Sequence, residues 1–195
     1  MNFIDICKSR YATKKFNATK LVSESDLDSV KEMIQLSASS FGLQPYVVRI
    51  VRDKALQAEL QKASWNQEQV GTASDLLVFC ANTDVASRID EYEQMIGVET
   101  APEYIAMMRS FASAKSQAEL LEWASKQAYI AMGNVLNGAK ALGFDSCPME
   151  GFDASSYAEI LDIKSPLTPI FVVPIGYGVD TPKPKVRYPL TTLFA

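Results

Sequence analysis

Lys115–Gly143, KSQAELLEWASKQAYIAMGNVLNGAKALG, is the stretch that decides the fold. Leu120, Leu121, Trp123, Ile130, Met132, Val135, Leu136 and Leu142 recur at helical spacing, which predicts one helix from about Lys115 to Leu142. Gly143 supplies its C-terminal stop. Such a helix is roughly 40 Å long, enough to cross a small domain. Its apolar residues spread around much of the circumference, so it belongs in a core or a subunit interface. Gly133 and Gly138 would let another backbone approach closely, offsetting their low helix propensity.

Working outward, a short strand over Phe144–Cys147 is expected to follow the helix. Tyr46–Arg52, Leu76–Ala81 and Phe171–Ile175 read as further strands: β-branched or apolar runs bounded by polar or turn residues. A short helix starts at Asn2, an N-cap type, and carries Phe3, Ile4, Ile6 and Cys7. A second follows Ser23, paired with Asp26 as a capping box, with Leu27, Val30, Met33, Ile34 and Leu36 near helical spacing. Residues 84–113 are acidic and helical, punctuated by Gly97 and Pro102, and Asp153 can cap a helix after the turn before it. Helices outnumber strands without βαβ alternation. The fold class is therefore α+β, a small sheet flanked by helices. After Tyr177 come Pro182, Pro184 and Pro189 with little periodicity, so this tail has to dock on something, such as a second subunit.

With 195 residues, 48% hydrophobic and 22% charged, the chain is expected to form one globular domain over 1–195. Asp5, Lys8 and Arg10 interrupt the start before a secretory apolar core could develop, and no run approaches a membrane span. A soluble, cytoplasmic protein is expected. Cys7, Cys80 and Cys147 are far apart, odd in number and contain no C-x-x-C, so no zinc or dithiol site is expected; Cys7 and Cys80 read as reduced core residues. The chain contains no histidine. That excludes Ser-His-Asp and Cys-His nucleophilic machinery and histidine-ligated zinc or iron. Chemistry must come from a cofactor or from carboxylates, lysines and tyrosines.

The net charge is −4, yet both ends are basic. Lys8, Arg10, Lys14, Lys15 and Lys20 face only Asp5 within the first twenty residues, and Lys183, Lys185 and Arg187 meet no acid within residues 181–195. An acidic middle argues against a nucleic-acid surface. The two ends are either solvated or converge on one small anion, such as a phosphate.

Five clusters remain as candidate sites. Arg10-Tyr-Ala-Thr-Lys14 offers a guanidinium fork and a point charge, the two common ways to hold phosphate. Ser37-Ala-Ser-Ser40 precedes Phe41-Gly-Leu-Gln44-Pro45; Trp65-Asn-Gln-Glu-Gln69 is an amide-rich turn. Pro148-Met-Glu-Gly151-Phe152 is a stiff close-approach turn directly after a strand. In Lys185-Val-Arg187, extended backbone would aim both cations the same way. Gly176-Tyr-Gly178 is too short for a dinucleotide fingerprint, and no P-loop exists.

Taken in order, R-x-x-[ST]-K, S-x-S-S-x-x-x-Q-P, N-x-x-Q, P-x-E-G-F and K-x-R resemble the nitroreductase family, nearest to its oxygen-insensitive NAD(P)H enzymes. The resemblance runs from Phe3 to about Leu190, and Glu122–Tyr129 and Ala141–Asp145 share it. It implies a mixed, mainly antiparallel sheet, an intertwined homodimer with 178–195 as an arm on the partner subunit, and bound FMN with NAD(P)H as co-substrate. Arg10, Tyr11, Ala12 and Lys14 would line the FMN, with Lys185 and Arg187 completing a phosphate clamp. Asn66 would face the flavin, with Gln69 close to the nicotinamide. Met149, Glu150 and Gly151 would lie at the flavin, the last two offering backbone N–H groups near N5. Ser37, Ser39 and Ser40 would come from the partner, and Phe41, Gly42 and Phe111 would shape the substrate pocket.

Two positions depart from the family pattern. Tyr11 replaces a polar residue, often histidine, and Gln69 stands where a basic residue often helps to bind nicotinamide phosphate. Cys147 is expected to pack rather than to act as a redox thiol. The implied activity is ping-pong hydride transfer from NAD(P)H through flavin N5 to nitroaromatic or quinone acceptors, with no side-chain acid or base and no metal. Rival expectations are dehalogenation or flavin fragmentation on the same fold, or a non-catalytic dimeric binding protein.

Overall fold

The computed structural model of the protein describes residues 2–97 and 101–194. Helix α1 (Phe3–Ser9) opens the chain, with Asn2 and Asp5 forming a reciprocal capping box. Helix α2 (Glu24–Gln35) starts at Ser23, whose hydroxyl accepts from the Asp26 N–H. Only half of the expected box forms there, because the Asp26 carboxylate takes the Ser23 hydroxyl itself, at 2.7 Å. Strand β1 (Tyr46–Val51) precedes α3 (Lys54–Lys62), α4 (Glu68–Thr72) and β2 (Asp75–Asn82). Then come α5 (Val85–Ile96), α6 (Pro102–Ser113), α7 (Gln117–Ala141), β3 (Asp145–Ser146), α8 (Ala154–Ile160), β4 (Leu167–Gly176) and α9 (Leu190–Leu193).

The decisive helix forms where the periodicity placed it, over 25 residues. Ser116 caps it in a box with Glu119, and Gly143 follows it at φ 91°, the left-handed conformation a helix stop requires. The sheet runs in the order β1-β2-β4-β3, with each neighbouring pair antiparallel. Among the described residues a parallel bridge, Ala12 with Ser146, makes it mixed. This is the expected α+β architecture. Strand β4 is longer than its apolar run, because the sheet accommodates both Pro169 and Pro174.

Alternation along β2 builds two cores. Leu77 and Phe79 face α2 and α7, meeting Val30, Ala128, Val135 and Ala139. Leu76, Val78 and Cys80 face the opposite layer, meeting Leu60, Val70 and Tyr157. Alanines on α7 bring its backbone near the sheet, leaving room for Phe79 and Phe171 to stack at 4.6 Å. Each fully buried side chain of that size contributes roughly 1.5–3 kcal/mol. A third cluster joins α5, α6 and the start of α7 through Ile89, Ile105, Met108 and Leu120.

Cys80 is buried as expected, but Cys7 is only half-buried, because α1 buries little beyond Ile6. Phe3 and Ile4 lie open, as do Ile130 on α7 and Val186, Tyr188, Leu190 and Leu193 of the tail. Among the described residues no helix is long and apolar enough to cross a membrane.

Candidate functional site

The two basic ends meet. The segments after α1 and after β4 zip together: Asn17 N–H donates to the Tyr177 carbonyl at 2.8 Å and Val179 N–H to that of Lys15 at 3.0 Å. Asp180 adds a side-chain rung, accepting from Lys14 N–H at 3.0 Å and from Tyr11 Oη at 3.1 Å. A Cβ at position 178 would come within 2.6 Å of Tyr11 Oη and 2.9 Å of Asp145 Oδ2, so any larger residue there would push these side chains aside. Beyond Asp180 the tail loops outward and returns, where Lys185 Nζ donates to the carbonyls of Cys7 at 2.7 Å and Arg10 at 2.6 Å.

The space under that loop is a cavity of about 400 Å³ lined by Arg10, Tyr11, Ala12, Lys14, Lys185 and Arg187, among others. Six residues named from sequence are thus brought together. Asp180 and Lys183 also line it, and sequence carried no local signal for Asp180's contacts. Arg10 Nη1 has no hydrogen-bond partner among the described residues. Loss of water, then the nearby charges of Arg10 and Arg187, pull the Lys185 ammonium below its ordinary pKa. Arg10, Lys14, Lys183, Lys185 and Arg187 face the one carboxylate of Asp180 there, and such an excess of cations is suited to an anion with several oxygens.

One wall leads to the turn after β3. Lys14 Nζ lies 3.5 Å from Cys147 Sγ. Burial pushes the Cys147 thiol up, against the opposing pull of Lys14, so it stays protonated and packs. The turn itself is pinned on several sides. Met149 exchanges both backbone hydrogen bonds with Val172, Gln67 Nε2 donates to the Gly151 carbonyl at 2.7 Å, and Asp153 N–H reaches the Ala63 carbonyl. Tyr129 of α7 donates its hydroxyl to the Glu150 carboxylate. Burial first and this contact second raise the Tyr129 pKa. The backbone N–H groups of Glu150 and Gly151 meet no acceptor among the described residues. Two adjacent unengaged donors on a rigid turn can hold an electron-rich ring atom.

Trp65 and Asn66 both adopt positive φ, 52° and 58°, which turns the 65–69 loop toward Gly151. A Cβ at position 151 would lie 3.0 Å from the Trp65 ring, so that position accommodates only glycine without a shift. The exposed Asn66 side chain has no hydrogen-bond partner among the described residues. Gln69 is buried, its amide donating to Gln67 at 3.1 Å. Sequence reasoning missed Gln67, whose amide is the link; its place in the amide-rich run was the available signal.

The remaining named residues lie elsewhere in the chain. Ser37 accepts from Asn134 Nδ2 at 2.8 Å, Ser39 Oγ from Gln44 N–H at 3.0 Å, and Ser40 N–H donates to Gln127 at 2.8 Å. Phe41, at φ 59°, packs edge-on against Phe111 at 5.2 Å beside Trp123, and Gly42 adjoins Tyr92. Neither group lines the cationic cavity of its own chain.

Residues 7–177 match the sequence pattern of the Nitroreductase family. A Staphylococcus haemolyticus protein named "Putative NAD(P)H nitroreductase" is 36% identical over 92% of this chain and 90% of its own. Among solved structures, a nitroreductase family protein from Streptococcus pneumoniae superposes with a TM-score of 0.87 at 26% identity, covering 100% and 99% of the two chains. An Exiguobacterium sibiricum structure, described as "a putative nitroreductase in complex with FMN", superposes at 0.91 with 19% identity over 100% and 97%.

Proposed function

The chain belongs to the nitroreductase family, and from that premise we propose that it is an FMN-dependent oxidoreductase. It would pass hydride from NAD(P)H to nitroaromatic or quinone-type acceptors, working as a homodimer. The observation that carries this reading is the cationic cavity built from both chain ends, lined by Arg10, Lys14, Lys185 and Arg187. The donor set fits FMN. Arg10, Lys185 and Arg187 would hold the phosphate, while Tyr11, Ala12 and Lys14 would border the ring.

Bound FMN would supply the hydride-accepting and hydride-donating atom, N5. Every remaining task falls to the chain. The Glu150 and Gly151 N–H groups would hydrogen-bond N5 on a turn that does not need to reorganise. Lys14 would stabilise negative charge on the pyrimidine edge. Met149 would border the ring, Asn66 would contact its exposed edge, and Gln67, steadied by Gln69, would keep the turn in place. NAD(P)H and the acceptor would use one face in succession, which is ping-pong order.

Ser37, Ser39 and Ser40, with Phe41, Gly42 and Phe111, would serve the partner's site rather than their own. Of the arm over residues 178–195, Val179, Asp180 and Lys185 bond to the start of their own chain, and the part after Arg187 would run onto the partner, covering apolar side chains such as Tyr188 and Leu190 that a lone chain exposes. Purification supplies the test. The protein should be yellow, release FMN on denaturation, and bleach anaerobically with NADH until menadione is added. A colourless protein that gains no flavin on incubation with FMN would refute the reading.

A further inference from the structure

Glu150 poses an electrostatic problem at the site just described. Its carboxylate sits on the same turn as the two unengaged N–H groups, one residue from Gly151. A flexible carboxylate beside free N–H donors tends to accept from them, as Asx and related turns do. It would then compete with whatever those donors serve. A bare carboxylate there would also oppose any rise in electron density on a bound ring.

The structure contains a restraint against both outcomes. Tyr129 reaches from the middle of α7 and gives its hydroxyl to Glu150. The tyrosine is itself fixed, since its ring packs against Phe171 at 4.6 Å, and Phe171 stacks on Phe79 at the same separation. Thus the carboxylate is tied through three aromatic rings to the centre of the sheet. Met132 and Phe171 line a cavity of about 320 Å³ that opens beside this pair. Nothing in the turn's own backbone requires such a tether, because Val172, Gln67 and Ala63 already hold it.

We propose that Tyr129 is a positioning residue acting through Glu150. It draws the carboxylate toward α7, partly neutralises it, and so leaves the Glu150 and Gly151 N–H groups available to the cofactor. The proposal rests on the FMN reading above. It adds a residue to the site whose role is electrostatic and which need not touch the cofactor.

The test is a double-mutant cycle on FMN-loaded protein, read by the midpoint potential of bound FMN against reference dyes and by FMN dissociation. Tyr129→Phe should lower the potential and weaken FMN binding by about tenfold, the typical worth of one hydrogen bond to a charged group. In a Glu150→Gln background the same substitution should change neither quantity, since no carboxylate remains to restrain. Equal changes in both backgrounds, or none in either, would overturn the proposal. Thermal melts identify any variant that fails to fold. If Tyr129→Phe is one of them, Glu150→Gln alone must raise the potential, and an unchanged value sinks the idea. Wild-type protein that holds no FMN would instead overturn the functional reading itself.

Discussion

Lys185 donates to the main-chain carbonyl of Arg10, joining residues 175 positions apart at 2.6 Å. The cation thereby closes the loop over the cavity and supplies a proton donor at the C-terminus of α1. Arg10 and Arg187 are its cationic neighbours, so these contacts hold the cluster together against its own repulsion.

A phosphate should relieve that repulsion. Replacing Arg10 and Arg187 together by Ala is therefore expected to weaken FMN binding far more than riboflavin binding. Two charge-assisted contacts, each worth roughly 1.5–3 kcal/mol, correspond to a loss of at least about a hundredfold. Fluorescence titration with both flavins measures the ratio. Equal losses would show that the cavity does not read phosphate.

Gly133 tests the dimer. It lies inside α7, and a Cβ added there would meet nothing within 4 Å in one chain. For a monomer, Gly133→Ala should simply stabilise the helix, by about 1 kcal/mol. If a partner packs on this face beside the exposed Ile130, the added methyl should weaken association. The expected result, by sedimentation equilibrium, is a dimer that dissociates at higher concentration than wild type. Unchanged association with a raised Tm would leave this face to solvent.

Asp75 is fully buried, accepting from Arg52 Nε at 2.7 Å, Arg52 Nη2 at 3.1 Å and Ser74 Oγ at 2.6 Å. Arg52→Ala would strand that carboxylate. A loss of about 3–5 kcal/mol is expected. Adding Asp75→Asn should recover part of it, because a neutral amide costs less to bury. Urea unfolding of both variants decides the point, and a double variant no more stable than Arg52→Ala would contradict it.

Cys80 and Tyr157 are among the buried acids that shape alkaline stability. Burial pushes the Cys80 thiol from 9.0 up to about 11, and burial likewise pushes Tyr157 from 10.0 up to about 12. In each case the unfolded chain loses its proton first, so folding binds protons and stability falls as pH rises. The Cys80 contribution is complete below pH 9 and lost by about pH 11. Urea midpoints for wild type and Cys80→Ala at intervals across that window should converge as the pH rises. Parallel curves would place the alkaline transition elsewhere.

Legibility followed locality. The caps at Asn2, Ser23 and Asp153, the long helix and three of the strands are encoded within a few residues, and the structure has them. The basic clusters were visible as charge, although nothing local required them to meet. Asp180 escaped notice because its partners, Tyr11 and Lys14, lie across the whole chain. Tyr129 was visible only as one more aromatic on a helix, since its hydroxyl's direction depends on where the turn at Glu150 packs. The 65–69 segment read as a turn because α4, at five residues, is too short to show a period. Gln69's burial is tertiary, so its exposure could not be judged from the string alone.

The zipper between residues 15–17 and 177–179 has a kinetic consequence. Every contact that closes the cavity joins the start of the chain to its end, so loop-closure entropy opposes the site until nearly all else has folded. During synthesis at about 5–20 residues per second, Arg10 waits roughly 10–35 s for Arg187 to be made. Until then the cavity lacks one wall. It is among the last features to assemble, and a truncation before Asp180 would leave a folded sheet without its cationic cavity.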